Sequence, residues 1–196
     1  MKEGIGSLVR SIVAFYAATV GFGLSHLLAL SPSQGAFYDH RWPCFMIVAL
    51  LALRLLTGSS AHLGTEYPTS ASPTVAGAVW FGVDVLFLLI FGFCALRSAY
   101  AASLEEFLGW CLALSISPLL GALTMLRNGG SWKKWRPFLI SDLVISLAVG
   151  LAYLLYPGAS DWPNLLGWHP TVVWTLAVSL LCTITEIPWQ LYAAGQ

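Results

Sequence analysis

The chain has 196 residues, 58% of them hydrophobic and only 9% charged, with nine Lys or Arg balancing nine Asp or Glu. A soluble domain carries about a quarter charged residues, so this deficit excludes a water-soluble fold of ordinary surface. The zero net charge excludes a globally basic nucleic-acid binder.

Six apolar segments follow in order, at 7–30, 42–58, 75–97, 104–126, 137–156 and 170–192. Each is about long enough to cross a bilayer as a helix. The expectation is an all-α fold: a polytopic integral membrane protein with six transmembrane helices in one bundle and a single domain over 1–196. The nine Trp, seven Tyr and ten Phe suit aromatic belts at the two interfaces. The first segment, with Lys2 and Arg10 ahead of it, imitates a signal peptide, but its apolar run exceeds the usual length. It reads as a membrane helix.

Proline marks several starts. Pro43, Pro73, Pro137 and Pro170 sit at or just before a first turn, where a missing N–H costs nothing. Pro118 and Pro188 fall inside the fourth and sixth segments and should kink them or free carbonyls there. The stretch 59–74, S-S-A-H-L-G-T-E-Y-P-T-S-A-S-P-T, is rich in turn formers and reads as the most loop-like part of the chain.

The third segment is the most apolar, and its one charge, Asp84, lies near mid-membrane, where an unpaired carboxylate is expensive. Asp84 and Gly92 recur eight apart as Asp142 and Gly150 in the fifth segment. Two matched positions do not establish a repeat of the transporter kind.

Orientation follows from Lys and Arg. With the N-terminus inside, the inner face collects Lys2, Arg10, Arg127, Lys133, Lys134 and Arg136, and the outer face only Arg41 and Arg97. The positive-inside rule then places both termini in the cytoplasm of a multi-pass cell-membrane protein. In that frame Arg54, Asp142 and Glu186 lie in the cytoplasmic half and Asp84 nearer the middle. These four residues could be packing ion pairs, because a lone charge there is costly, or the lining of a polar path or gate. Arg54 should find a carboxylate within hydrogen-bonding reach.

The connection between the fourth and fifth segments, R-N-G-G-S-W-K-K-W-R, turns at Gly129 and Gly130. It surrounds Trp132 and Trp135 with Arg127, Lys133, Lys134 and Arg136. It suits an anchor on anionic membrane lipid, or a site for an anionic cytoplasmic ligand or regulatory partner that Arg and Lys hold while Trp stacks. Small residues (Gly21, Gly23 and Ser25; Gly77, Ala78 and Gly82; Ser115, Ser117 and Gly121) let helices approach closely in lipid.

No catalytic constellation is present: no H-E-x-x-H, no G-x-S-x-G and no paired Cys. Cys44, Cys94, Cys111 and Cys182 stand alone in apolar runs and read as small buried hydrophobes. His26, His40 and His169 read as interfacial groups rather than ligands. His62 and Glu66 make a poor metal pair, because Gly64 and Pro68 argue against a helix there. No cofactor, metal or enzymatic activity is expected. The leading expectation is a subunit of a homo-oligomeric channel for ions or small solutes, gated by a separate partner or anionic cytoplasmic ligand. A bacterial effector channel would fit that layout. The alternatives are a proton-coupled small-solute transporter and a non-conducting scaffold subunit.

Overall fold

The computed structural model describes residues 2–32, 36–66, 75–127, 132–159 and 161–194, with side chains for 8–32, 38–57, 78–119, 136, 138–159 and 161–186. Six long helices and one short one account for most of it: α1 (Lys2–Ala29), α2 (Ala36–Asp39), α3 (Arg41–Glu66), α4 (Val75–Ala99), α5 (Leu104–Arg127), α6 (Trp132–Leu155) and α7 (Pro170–Ala194). Only α2 is shorter than a membrane-crossing length. A 3-10 turn at Tyr156–Gly158 follows α6.

Three boundaries differ from the sequence reading by five residues or more, the first being the start of α1 at Lys2 rather than 7. Helix α3 continues past 58 to Glu66, so His62 and Glu66 lie on a helix. One glycine and a few hydroxyls do not stop a helix already propagating. Helix α6 starts at Trp132 rather than Pro137. Pro137, close to the start, deprives only an early carbonyl of its donor, and the Trp-Lys-Lys-Trp-Arg run therefore forms the helix's first turns instead of a loop.

Three helices are long and apolar enough to cross a membrane, over Leu8–Ala29, Ala78–Ala99 and Phe138–Gly158, and Pro170–Glu186 is a shorter apolar helix, all within the described residues. Large apolar side chains stand uncovered along them, including Phe15 and Phe22, Leu86 and Phe93, Leu147 and Leu154, and Leu181 and Ile184. So much uncovered apolar surface is foreign to a monomer in water.

The helices form a closed ring in the order α1, α4, α5, α6, α7, α3, with α3 also reaching inward against α4 and α5. Side-chain pairs give the directions. Gly23 faces Ala99 and Gly92 faces Tyr16, so α1 and α4 run parallel. Arg97 with Glu106 and Phe93 with Trp110 make α4 and α5 antiparallel. Cys44, Ile47 and Val48 of α3 meet Phe107, Cys111 and Leu114 of α5 in the fully buried core. The middle of the ring is filled with side chains.

Lipid offers helices no hydrophobic drive to associate, so close backbone approach has to supply the contact. At Gly23 an added Cβ would lie 3.1 Å from the Ala99 Cβ and 3.5 Å from the Leu96 Cα. Gly21 and Gly82 have nothing within 4 Å, and these two small residues take no part in packing. Three buried hydroxyls are satisfied on their own helices: Ser98 donates to the Ala95 carbonyl, Thr175 to Thr171 and Thr183 to Ser179, at 2.7–2.8 Å. In α5, Pro118 interrupts the backbone ladder. One turn before it, the Ser115 carbonyl accepts from Ser146 of α6 at 2.9 Å, and the same Ser146 hydroxyl also lies 2.8 Å from the Asp142 carbonyl. A single proton serves both acceptors, tying α5 to α6 where proline frees carbonyls. The four cysteines are free and buried.

Candidate functional site: a charged cluster between three helices

Arg54 sits on α3 between Leu53 and Leu55, in a stretch that supplies it no anionic neighbour of its own. A guanidinium cannot shed its charge, so its partners must come from other helices. They come from α6 and α7. Nη2 donates to Asp142 Oδ1 at 2.9 Å and to Ser141 Oγ at 2.9 Å, and it pairs directly with Glu186 Oε2. Ser141 in turn donates to Glu186 Oε2 across 3.4 Å. Arg54 and Glu186 are each 6% exposed and Asp142 is 17% exposed. This is an interior network, with little solvent to screen it.

Two features of the geometry bear on chemistry. Three oxygens crowd Nη2, which has two hydrogens, while the buried Nη1 has no hydrogen-bond partner among the described residues. With all groups ionised, the cluster holds one positive and two negative charges. Such a group can trade a proton or a small cation for its surplus charge, and its contacts can rearrange without leaving the site.

Of the four intramembrane residues read from the sequence, Arg54, Asp142 and Glu186 are joined directly. Asp84 stands part-buried on α4 and is not among the acceptors that crowd Arg54 Nη2. Ser141 was missed by sequence reasoning. Its signal was adjacency: Ser-Asp at 141–142 is a polar pair inside an apolar run.

The basic segment divides between two helices. Arg127 ends α5, and Trp132, Lys133, Lys134, Trp135 and Arg136 open α6. The Arg136 side chain is exposed. The side chains of Arg127, Trp132, Lys133, Lys134 and Trp135 lie outside the described residues.

The opposite end of the bundle carries a separate polar and aromatic layer. The His26 ring stacks on Tyr100 with centroids 3.8 Å apart. Arg41 lies over the Tyr38 ring at 3.7 Å. Arg97 bonds Glu106 at 3.2 Å and lies 5.4 Å from the Trp110 ring centre. Glu106 also accepts from the Ala102 N–H and from Trp110 Nε1. These contacts satisfy charge at a helix end without gathering metal ligands, and no group of three metal-binding side chains occurs among the described residues.

No protein-family model matches the chain, and neither does any curated protein or solved structure.

Proposed function

We propose that the protein is a six-span cell-membrane protein with both termini cytoplasmic, and that it is a subunit of a homo-oligomeric channel for ions or small solutes. The observation that carries this reading is the Arg54–Asp142–Glu186 cluster, a buried ion network joining three helices. Apolar side chains of similar volume usually pack at least as stably as a buried ion pair. Charges kept inside a membrane bundle are therefore better explained by a task than by stability. The task assigned here is a latch: while Arg54 bridges both carboxylates, α3, α6 and α7 are held in one arrangement, and its release lets them shift.

The packed centre of the ring directs a conducting path to the seam between copies rather than through one protomer, as closed rotational symmetry allows. The basic segment at the start of α6 is the proposed contact for an anionic cytoplasmic ligand or regulatory partner, with anionic lipid the competing role. Two carboxylates sharing one guanidinium nitrogen favour one second reading, a proton-coupled small-solute transporter in which the cluster carries the proton.

The test is electrical. Purified protein in a planar bilayer should give unitary currents, and Asp142→Asn or Glu186→Gln should change open probability or charge selectivity at normal expression. Slow, saturable, pH-driven uptake without unitary currents would replace the channel with the transporter. Absence of any flux, with these variants altering stability alone, would leave a scaffold subunit.

A further inference from the structure

The connection between α6 and α7 is a built object. After the 3-10 turn, Ala159 is fully buried, and its carbonyl accepts the Trp162 N–H at 3.0 Å. Leu165 and Trp168 exchange backbone hydrogen bonds of 2.8 and 3.0 Å. Between them Leu166 and Gly167 both adopt positive φ, 57° and 82°, as a type I′ turn requires. His169 staples the far end. Its buried ring places Nε2 3.0 Å from the Ala159 carbonyl and Nδ1 2.8 Å from Thr171 Oγ1. The Ala159 carbonyl can only accept, so Nε2 carries the proton and Nδ1 accepts from Thr171.

This hydrogen-bonded loop presents apolar groups outward. Leu166, at the tip, is 79% exposed, and Leu165 and Trp162 are about half exposed. Left-handed backbone suits Gly, Asn or Asp and is strained for a residue such as Leu, whose Cβ crowds the following carbonyl. The turn thus holds a bulky apolar side chain, at a conformational cost, where the described residues leave it uncovered. The loop also continues a larger surface. The apolar span Phe138–Gly158 ends in the loop's first turn, and its uncovered Leu154 and Leu155 lead into it. Asp161 is the loop's one charged residue, and no Lys or Arg occurs anywhere from 137 to 196.

We infer that the 157–169 loop is a preformed apolar wedge that seats Trp162, Leu165 and Leu166 in the interfacial zone of the outer-side leaflet. Its partner is a lipid surface, recognised by apolar burial and the interfacial preference of tryptophan. Without a cation it draws nothing from anionic headgroups, unlike the basic segment at the opposite end. The inference rests on the membrane-spanning reading above.

Depth-dependent quenching tests it. The native cysteines are buried, so an environment-sensitive fluorophore can be placed on Leu166→Cys at the tip or on Leu151→Cys, an exposed position of α6, in vesicles holding brominated lipid. Both labels should be quenched, the Leu166→Cys label most by bromines close to the headgroup, and equally in neutral and anionic vesicles. Quenching at Leu151→Cys without quenching at Leu166→Cys overturns the wedge and leaves the membrane reading standing. Quenching at neither removes the membrane reading itself. Quenching of the tip label only in anionic vesicles overturns the uncharged mechanism. Shielding of the tip label from brominated lipid and aqueous iodide alike means that a protein covers it, which also overturns the proposal. A second variant guards against misfolding: Leu166→Asn suits the left-handed backbone and removes the apolar tip. A label on Leu165→Cys in that background should lose most of its quenching, and unchanged quenching counts against the wedge.

Discussion

Replacing Arg54 by methionine tests the cluster most directly. Arg54→Met keeps a long unbranched stem and removes the only cation in contact with Asp142 and Glu186 among the described residues. Two carboxylates, 17% and 6% exposed, then lose the guanidinium they share. Deleting one partner of a buried ion pair costs about 3–5 kcal/mol. For a chain of this size each kcal/mol moves Tm by about 2–4 °C, so the combined fall is on the order of 6–20 °C. The companion variant is the triple replacement Arg54→Met, Asp142→Leu, Glu186→Met. Replacing a whole buried network by apolar groups is neutral or stabilising by about 1–4 kcal/mol, so the triple variant should recover the wild-type Tm or exceed it. The assay is thermal unfolding of purified protein in detergent, read by loss of the monodisperse peak in size-exclusion chromatography. A single-variant shift under about 2 °C, or a triple variant as unstable as the single, would refute the reasoning that Arg54 neutralises a buried carboxylate pair. A stable triple variant without flux would separate the latch from mere packing.

Gly23→Leu should destabilise by about 1–3 kcal/mol, because its Cβ would press on Ala99 and the Leu96 backbone. Gly21→Leu, with open space around its Cβ, should be tolerated in the same thermal assay. His169→Ala leaves the Ala159 carbonyl without its ring donor and should cost about 1–3 kcal/mol, with faster proteolysis in the 157–169 loop. His40 is buried, and burial holds its imidazole below the ordinary histidine value, with Asp39 partly opposing. The unfolded chain therefore takes up the proton first, so stability should fall as pH drops below about 6.5. Tm measured down to about pH 5 should fall less in His40→Gln. For topology, a membrane-impermeant maleimide added outside should label Asp161→Cys, an exposed loop position outside the wedge, and leave Ser131→Cys unmodified. The reverse pattern would invert the proposed orientation.

Much of the fold was legible because its signals are local. Apolar runs mark the six long helices, and α4, α5 and α7 begin where the sequence reading started them. Errors came where punctuation was weighed by composition. Ser, Gly and Thr at 59–66 resemble a loop, yet α3 runs on to Glu66. Pro137 resembles a first-turn proline, yet α6 starts five residues earlier. The candidate site was legible as a requirement rather than an arrangement: a buried Arg54 needs a carboxylate, and three were within plausible depth.

By itself the sequence determined that this chain is helical, that several of its helices suit lipid better than water, and that charges inside them need partners. Those properties follow from composition and run length, which each segment carries alone. Only the tertiary structure decided which charges meet, and it chose Asp142 and Glu186 for Arg54 Nη2. It likewise decided that Gly23 and Gly92 pack while Gly21 and Gly82 do not, and that Leu166 stands at the tip of a stapled turn. The reason is rotational. A helix apolar on every side has no amphipathic stripe to say which face turns inward, so its azimuth is set by the neighbours it packs against, and those come from distant parts of the chain.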